Sequence, residues 1–263
     1  MPQDKAALLR ALHVPGRPLV LPNIWDAASA RAVVAAGFPA VATSSGAVAA
    51  VLGHADQEDT PAGAMFSAVA RIVRAVPVPV TADLERGYGL APAELGERLA
   101  ETGVAGLNLE DSDPRTGVPA EPGEQADFLA AVRAGAAKAG ADLVINARVD
   151  TFIHGEGPPE RRTAEAAERG RRYLDAGADC VYPIMAADRE VIRTLVKEIG
   201  GPVNVYFRQG VPPLAELAEL GVARVSFGSG LHAAVQQSLA AMLSAITAGH
   251  SPYNDGRAAG VQP

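Results

Sequence analysis

Cysteine occurs once in the 263 residues, at position 180, so no disulfide can close within the chain and no multi-cysteine metal site can be built. Lysine is almost as scarce. Lys5, Lys138 and Lys197 all fall in predicted helices or the N-terminal segment, none at a strand end, which disfavours Schiff-base chemistry. No apolar run approaches the ~20 residues that span a bilayer. The start, Met1-Pro-Gln-Asp-Lys-Ala, lacks the basic and then apolar pattern of a secretion signal. Positive charge is also short: 23 Lys and Arg against 30 Asp and Glu give a net charge of -7. That balance offers nothing to nucleic acid or to an anionic membrane. These absences predict a cytoplasmic protein that takes a small molecule as its partner. An anionic substrate would have to be held by a local group of arginines, backbone N–H groups or a metal.

Hydrophobic residues make up 48% of the chain and charged residues 20%, enough to bury a large core. The length suits a single (β/α)₈ barrel domain over 1–263, with a core at about 18–248 and a tail at 249–263. Short runs rich in Val, Ile and Ala alternate eight times with longer alanine-rich stretches of helical spacing. Strands are predicted at Leu19–Pro22, Ala40–Thr43, Val78–Ala82, Gly106–Glu110, Leu143–Arg148, Cys180–Pro183, Val203–Tyr206 and Arg224–Phe227. Helices are predicted at Asp26–Ala36, Pro61–Val76, Pro92–Thr102, Gly123–Ala139, Arg162–Ala176, Arg189–Ile199, Pro213–Leu220 and Leu231–Ala248. Gly37, Gly103, Gly140, Gly177, Gly200 and Gly221 each close a helix where a left-handed residue is wanted. An open doubly wound sheet has similar content and is the alternative. Ser251–Pro263 reads as a tail that orders only on binding something.

Polar residues gather at the C-terminal ends of strands two to five, where barrel enzymes carry their active sites. Asp83 and Glu85 are two apart, so an extended strand would aim both carboxylates into the barrel mouth, with Glu110 joining from the next strand. Such an all-oxygen set suits Mg²⁺ or Mn²⁺; the plainer alternative is a pair of solvated loop acids. Arg148 could grip a substrate carboxylate, or serve as an internal ion pair with Asp150 or Glu110. Ser44, Ser45 and Gly46 open a predicted loop with hydroxyls and backbone N–H groups. His54, His154 and Tyr88 are acid–base candidates in loops on the same side. Gly228-Ser229-Gly230 reads as a tight strand-to-helix turn, with a phosphate site as the alternative, and Cys180 as a core residue.

Trp25-Asp26, Thr43-Ser44-Ser45-Gly46, Leu52-Gly53-His54-Ala55-Asp56, Ala82-Asp83-Leu84-Glu85-Arg86-Gly87-Tyr88-Gly89, Asn108-Leu109-Glu110-Asp111 and Asn146-Ala147-Arg148-Val149-Asp150 occur in that order at successive strand ends. Together they resemble the isocitrate lyase/phosphoenolpyruvate mutase superfamily from about Pro18 to Ala248. The resemblance implies a Mg²⁺-bound 2-oxo acid or enolate and the making or breaking of C–C or P–C bonds. It matches Asp83 and Glu85 to metal-associated acids, Asp56 and Glu110 to further acids of the site, and Ser44 and Arg148 to substrate-binding positions; with the reading of the residues above, the metal set is Asp83, Glu85 and Glu110 and the catalytic set Arg148, Glu110, Asp56, His54 and Tyr88. Trp25, Ser44, Ser45, Gly46, Arg148, Asn204 and Tyr206 fall to the substrate. It also implies a homo-oligomer, dimer or tetramer, that exchanges its last barrel helix. The Lys-Lys-Cys-Gly-His-like loop of the lyases is missing; Asp111–Pro119 stands there with Arg115 as its cation. The glutamate those lyases carry after strand six is also absent, where this chain reads Tyr182-Pro183-Ile184-Met185. The leading expectation is therefore cleavage of a small 2-oxo or 2-hydroxy acid. A phosphonopyruvate-type mutase and a non-catalytic carboxylate-binding barrel are the alternatives.

Overall fold

A computed structural model describes residues 4–253. It opens with α1 (Lys5–Ala11), whose N-cap Asp4 accepts hydrogen bonds from the backbone N–H groups of Ala6 and Ala7. The first barrel strand follows in two pieces, β1 (Leu19–Leu21) and β2 (Asn23–Ile24), because Pro22 lacks the N–H that would continue the ladder. Then come α2 (Ala27–Ala35), β3 (Val41–Thr43), α3 (Ser45–Leu52), α4 (Ala62–Ala75), β4 (Val80–Asp83), α5 (Pro92–Thr102) and β5 (Gly106–Glu110). Next are α6 (Pro122–Lys138), β6 (Val144–Val149), α7 (Thr151–His154), α8 (Pro159–Asp175), β7 (Cys180–Pro183) and α9 (Arg189–Ile199). The chain ends with β8 (Asn204–Tyr206), α10 (Leu214–Glu219), β9 (Arg224–Ser226) and α11 (Gly230–Thr247). The predicted tail lies outside the described residues beyond Tyr253.

All pairings between these strands are parallel. One sheet runs β2-β3-β4-β5-β6-β7 and the other β1-β9-β8. A single parallel bridge, Val181 to Val203, joins β7 to β8, and the chain itself joins β1 to β2, so the eight strand positions close into a barrel. This excludes the open doubly wound sheet, whose edges would stay apart. All six predicted capping glycines adopt left-handed φ values, from +70° at Gly200 to +100° at Gly177.

Three helices escaped the sequence reading. α1 packs fully buried Leu9 against Leu19, Leu21, Ala40, Ala42 and Val144 at the strands' N-terminal ends. Its Arg10 holds Asp179 at 2.7 Å and Asp142 at 2.6 Å. The segment predicted to loop from Ser44 is instead the start of α3, with Ser44 as its N-cap. α7 is a single turn after β6. On the outer ring α5 and α6 cross closely: a Cβ on Gly96 would lie 2.4 Å from Ala136 N and 2.8 Å from Val132 O. By contrast α11 buries none of its residues, and Val235, Leu243 and Ile246 are each about half exposed. No described helix is long and apolar enough to cross a membrane.

Candidate active site

β4, β5 and β6 deliver Asp83, Glu110 and Arg148 to one end of the barrel, because the register sets Asp83 beside Asn108 and Glu110 beside Arg148. Above them lies a cavity of about 370 Å³ lined by Asp56, Glu85, Glu110, Arg115, Arg148 and His154, among others. A larger one, about 790 Å³, sits on the flank between α8 and α9, away from the strand ends that carry Asp83, Glu110 and Arg148. The smaller cavity is the candidate site, because the titratable groups with disturbed protonation converge there.

Asp83 is braced from two sides. Its Oδ2 accepts from the backbone N–H and the hydroxyl of Ser45, both at 3.1 Å, and its Oδ1 from the Asn108 amide at 3.2 Å. Its own N–H donates to Thr43 Oγ1 at 2.8 Å. The expectation that Asp83 and Glu85 share a face by strand alternation needs correction. β4 ends at Asp83, and Glu85 follows in a left-handed turn at φ +50°. There Glu85 Oε1 accepts from Tyr88 OH at 2.7 Å and Oε2 from the backbone N–H of Glu58 at 2.8 Å. Glu58, unnoticed in the sequence, accepts in return from the N–H groups of Arg86 (3.1 Å) and Tyr88 (2.6 Å). Two loops are thereby cross-linked over the mouth, and Glu58 and Tyr88, at φ +59° and +58°, are bent to allow it. Gly46 is needed beside them, since a Cβ there would come within 2.7 Å of Asp56 Oδ2.

Arg148 donates through Nε to Asp150 at 2.6 Å and through Nη1 to Glu110 in a very short contact. The internal ion pair therefore forms with both acids, and the guanidinium still lines the cavity. Asp150 also accepts from Ser112 Oγ, and its N–H donates to Asp111 Oδ1 at 2.8 Å. Asp111 in turn is held by Tyr173 OH at 2.8 Å and Arg169 at 3.2 Å. This buried chain runs from α8 to the cavity wall.

Protonation follows from crowding. Burial, then the charges of Asp56 and Asp83, push the Glu85 carboxyl up to about 7 against the Tyr88 hydrogen bond. Burial and then Asp83 raise Asp56, while burial, Asp150, Asp83 and Glu85 raise Glu110 against Arg148. For Arg148 burial works against the charged form, but Glu110 and Asp150 outweigh it and hold the guanidinium charged. The pocket thus sets a charged, buried guanidinium among carboxyls whose ionisation is made harder by burial and by one another.

The other expected residues are dispersed. Ser44 Oγ meets Ser229 Oγ at 2.8 Å, which gives the Gly228-Ser229-Gly230 turn a place at the rim that its composition did not disclose. His154 lines the cavity. His54 is not among the lining residues and faces Asp59 at 3.5 Å. Trp25 lines a separate apolar groove with Val48, Leu52 and Ile72, and meets His232 edge-on at 5.0 Å. Asn204 is buried against Ser226 at 3.2 Å, and Tyr206 packs over Gly228, neither lining the acidic cavity.

The chain matches the phosphoenolpyruvate phosphomutase family over residues 9–247. It belongs to that family. A provisionally named phosphonomutase from Burkholderia cenocepacia J2315 superposes with a TM-score of 0.87 at 42% identity, over 92% of this chain and 100% of that one. The structure of 2,3-dimethylmalate lyase, a member of the PEP mutase/isocitrate lyase superfamily, gives 0.80 at 29% identity over 98% and 92%. Oxaloacetate decarboxylase of Pseudomonas putida (strain GB-1) is 30% identical over 84% of this chain and 77% of its own. The named relatives of this PEP mutase/isocitrate lyase member thus include lyases and decarboxylases.

Proposed function

We propose that this chain is a divalent-metal-dependent enzyme that cleaves a C–C bond of a small 2-oxo or 2-hydroxy carboxylate: decarboxylation of a 2-oxo acid would leave the bonding electrons on the 2-oxo product as an enolate, whereas cleavage of a 2-hydroxy acid would pass the hydroxyl proton to a base, turn the carbinol carbon into a 2-oxo acid and leave the electrons on the departing carboxylate fragment as its enolate. The observation that carries this reading is the meeting of the buried, charged guanidinium of Arg148 with Asp56, Glu85 and Glu110 in a single cavity, with Asp83 on the neighbouring strand end. Similarity to 2,3-dimethylmalate lyase and oxaloacetate decarboxylase supports the substrate class.

The donor set fits Mg²⁺. It is oxygen only, and burial, reinforced by the neighbouring carboxylates, raises the Asp56 and Glu85 carboxyls, an upward shift that a bound cation would oppose. Among the described residues no three acidic or histidine side chains form a ready-made cage. Mg²⁺ is commonly held by one or two carboxylates, with water and substrate oxygens completing its shell. Asp83 would be the anchoring acid, with Asp56, Glu85 and Glu110 around it. The cation's chemical contribution would be to stabilise negative charge developing on the substrate's oxygen.

The protein's own groups supply the rest. Arg148 binds and orients the substrate carboxylate. Ser45 presents its N–H and hydroxyl to Asp83 and keeps that acid in place. Glu85, with a carboxyl near 7, can hold or release a proton at its Oε2 or Oε1 at neutral pH while Tyr88 hydrogen-bonds it. His154 and Arg115 stand at the outer wall, where a second carboxylate of a dicarboxylic substrate would lie. α11, apolar and unburied, is proposed to dock on another copy in a dimer or tetramer.

The test is turnover on oxaloacetate, 2,3-dimethylmalate, methylisocitrate and phosphonopyruvate, with Mg²⁺ and with EDTA. Mg²⁺-dependent loss of a hydroxy or oxo acid supports the reading. Silence across the panel, with oxalate and Mg²⁺ still bound, means a binding barrel instead. The 42% identity to the phosphonomutase-named structure favours a second reading, P–C bond rearrangement, which phosphorus NMR of phosphonopyruvate would reveal.

A further inference from the structure

Arg224 is buried to 0% exposure in the interior of the barrel on β9. The one hydrogen bond of its side chain goes from Nη2 to Asn108 Oδ1 at 3.2 Å, while Nε and Nη1 find no protein acceptor among the described residues. A cation so placed is costly, and a barrel lined with Val, Leu or Met there would be easier to fold. Its position relative to Asn108 explains it. Asn146 Nδ2 also donates to Asn108 Oδ1, at 2.8 Å. Two donors from two strands therefore converge on the same amide oxygen. An amide has one accepting and one donating end, so a flipped Asn108 would aim its NH₂ at two further donors. The NH₂ is left one direction, towards Asp83 Oδ1 at 3.2 Å.

We propose that Arg224 and Asn146 act as positioning residues that lock the Asn108 amide, and that the locked amide sets the angle at which Asp83 meets the cation. The inference rests on the metal reading given above. With Ser45 fixing Oδ2, Asn108 decides whether the remaining face of the carboxylate points into the cavity. An interior arginine thus serves the site through an amide relay, without touching substrate or metal.

Charge and geometry make opposite forecasts, which renders the idea testable. Removing the positive charge of Arg224, or adding a negative one at 108, should tighten Mg²⁺ binding if only the electrostatic field matters. Loss of the amide lock should weaken it. The experiment is Mg²⁺ titration calorimetry on the full chain for Arg224→Met and Asn108→Asp, beside metal-free crystal structures of both. Asn108→Asp keeps acceptors for Arg224 and Asn146, and it carries the test should Arg224→Met fail to fold. We expect at least tenfold weaker Mg²⁺ binding in each, with the Asp83 carboxylate turned from its present orientation. Unchanged or tighter binding, or an Asp83 that stays in place, overturns the proposal. Should the wild type bind no Mg²⁺, the metal reading fails, and the crystal structures alone decide whether the lock exists.

Discussion

Replacing Glu85 by Gln should make the metal-free protein more stable at alkaline pH, although it alters a residue of the site. Glu85 is 4% exposed, and its carboxyl is raised from 4.5 to about 7. A group whose folded pKa is raised takes up a proton on folding. Its favourable contribution is complete below about 4.5 and is lost as pH rises through about 7. At roughly 1.4 kcal/mol per unit the ionised side chain costs the fold about 3 kcal/mol at pH 8, an upper figure. Gln keeps both hydrogen bonds: its carbonyl can accept from Glu58 N, and its NH₂ can donate to Tyr88 OH, whose hydroxyl can turn. A net gain of about 2 kcal/mol corresponds to roughly 4–8 °C in Tm for a domain near this size. Thermal unfolding in EDTA at pH 4.5 and pH 8 measures it. The two proteins should melt together at the lower pH and separate at the higher. A variant that is less stable at pH 8, or a difference equal at both, refutes the account of Glu85 as a strained acid. Added Mg²⁺ should then raise the wild-type Tm more than that of the variant.

Arg148→Ala should leave buried Glu110 and Asp150 unpaired, costing about 3–5 kcal/mol, and should abolish oxalate binding in calorimetry. Retained oxalate affinity would remove Arg148 from the substrate site. Mg²⁺ affinity of the wild type should climb as pH rises through about 7, where the raised Glu85 carboxyl ionises, and level above it, with the raised Asp56 acting in the same direction; a flat titration counts against their part in binding. Tyr173→Phe removes the hydroxyl that meets Asp111 and should cost about 1–2 kcal/mol in urea unfolding. Gly96→Ala forces a methyl into the backbone of α6 and should cost about 1–3 kcal/mol, whereas equal stability would show that α5 and α6 can slide apart.

The eight-fold alternation, the capping glycines and the acid-bearing strand ends were legible because each rests on local chemistry: apolar runs, φ > 0, polar residues after strands. Distant pairing was less accessible. α3 reads Ser-Gly-Ala-Val-Ala-Ala-Val-Leu, apolar almost all round, so it offers no helical periodicity, and its opening Ser-Ser-Gly looks like a loop. α1 and α7 are seven and four residues long, too short for a period to declare itself. Glu58 gave no signal, since its part depends on two left-handed loops folding towards each other. Arg224 looked like an ordinary strand residue, and only the closed barrel shows that it has no water to face. Strand alternation was the wrong basis for pairing Asp83 with Glu85, since β4 ends at Asp83 and the chain turns left-handed at Glu85.

The barrel's closure divides it into two unequal mechanical pieces. Six strands form one continuous ladder that carries Asp83, Glu110 and Arg148, while β1, β9 and β8 form another, tied to the first by one bridge and the Pro22 break. Amide hydrogens of Val225 and Tyr206 should accordingly exchange with solvent sooner than those of Leu109 and Ala147, through openings that part the seams and leave the acidic half assembled. The bonds from Ser44 to Ser229, and from Phe227 N and Gly228 N to Asn23, are stitches across those seams. A ligand touching both sides would tighten them, so its binding should be felt as slowed exchange in β9, a strand that bears none of the acids.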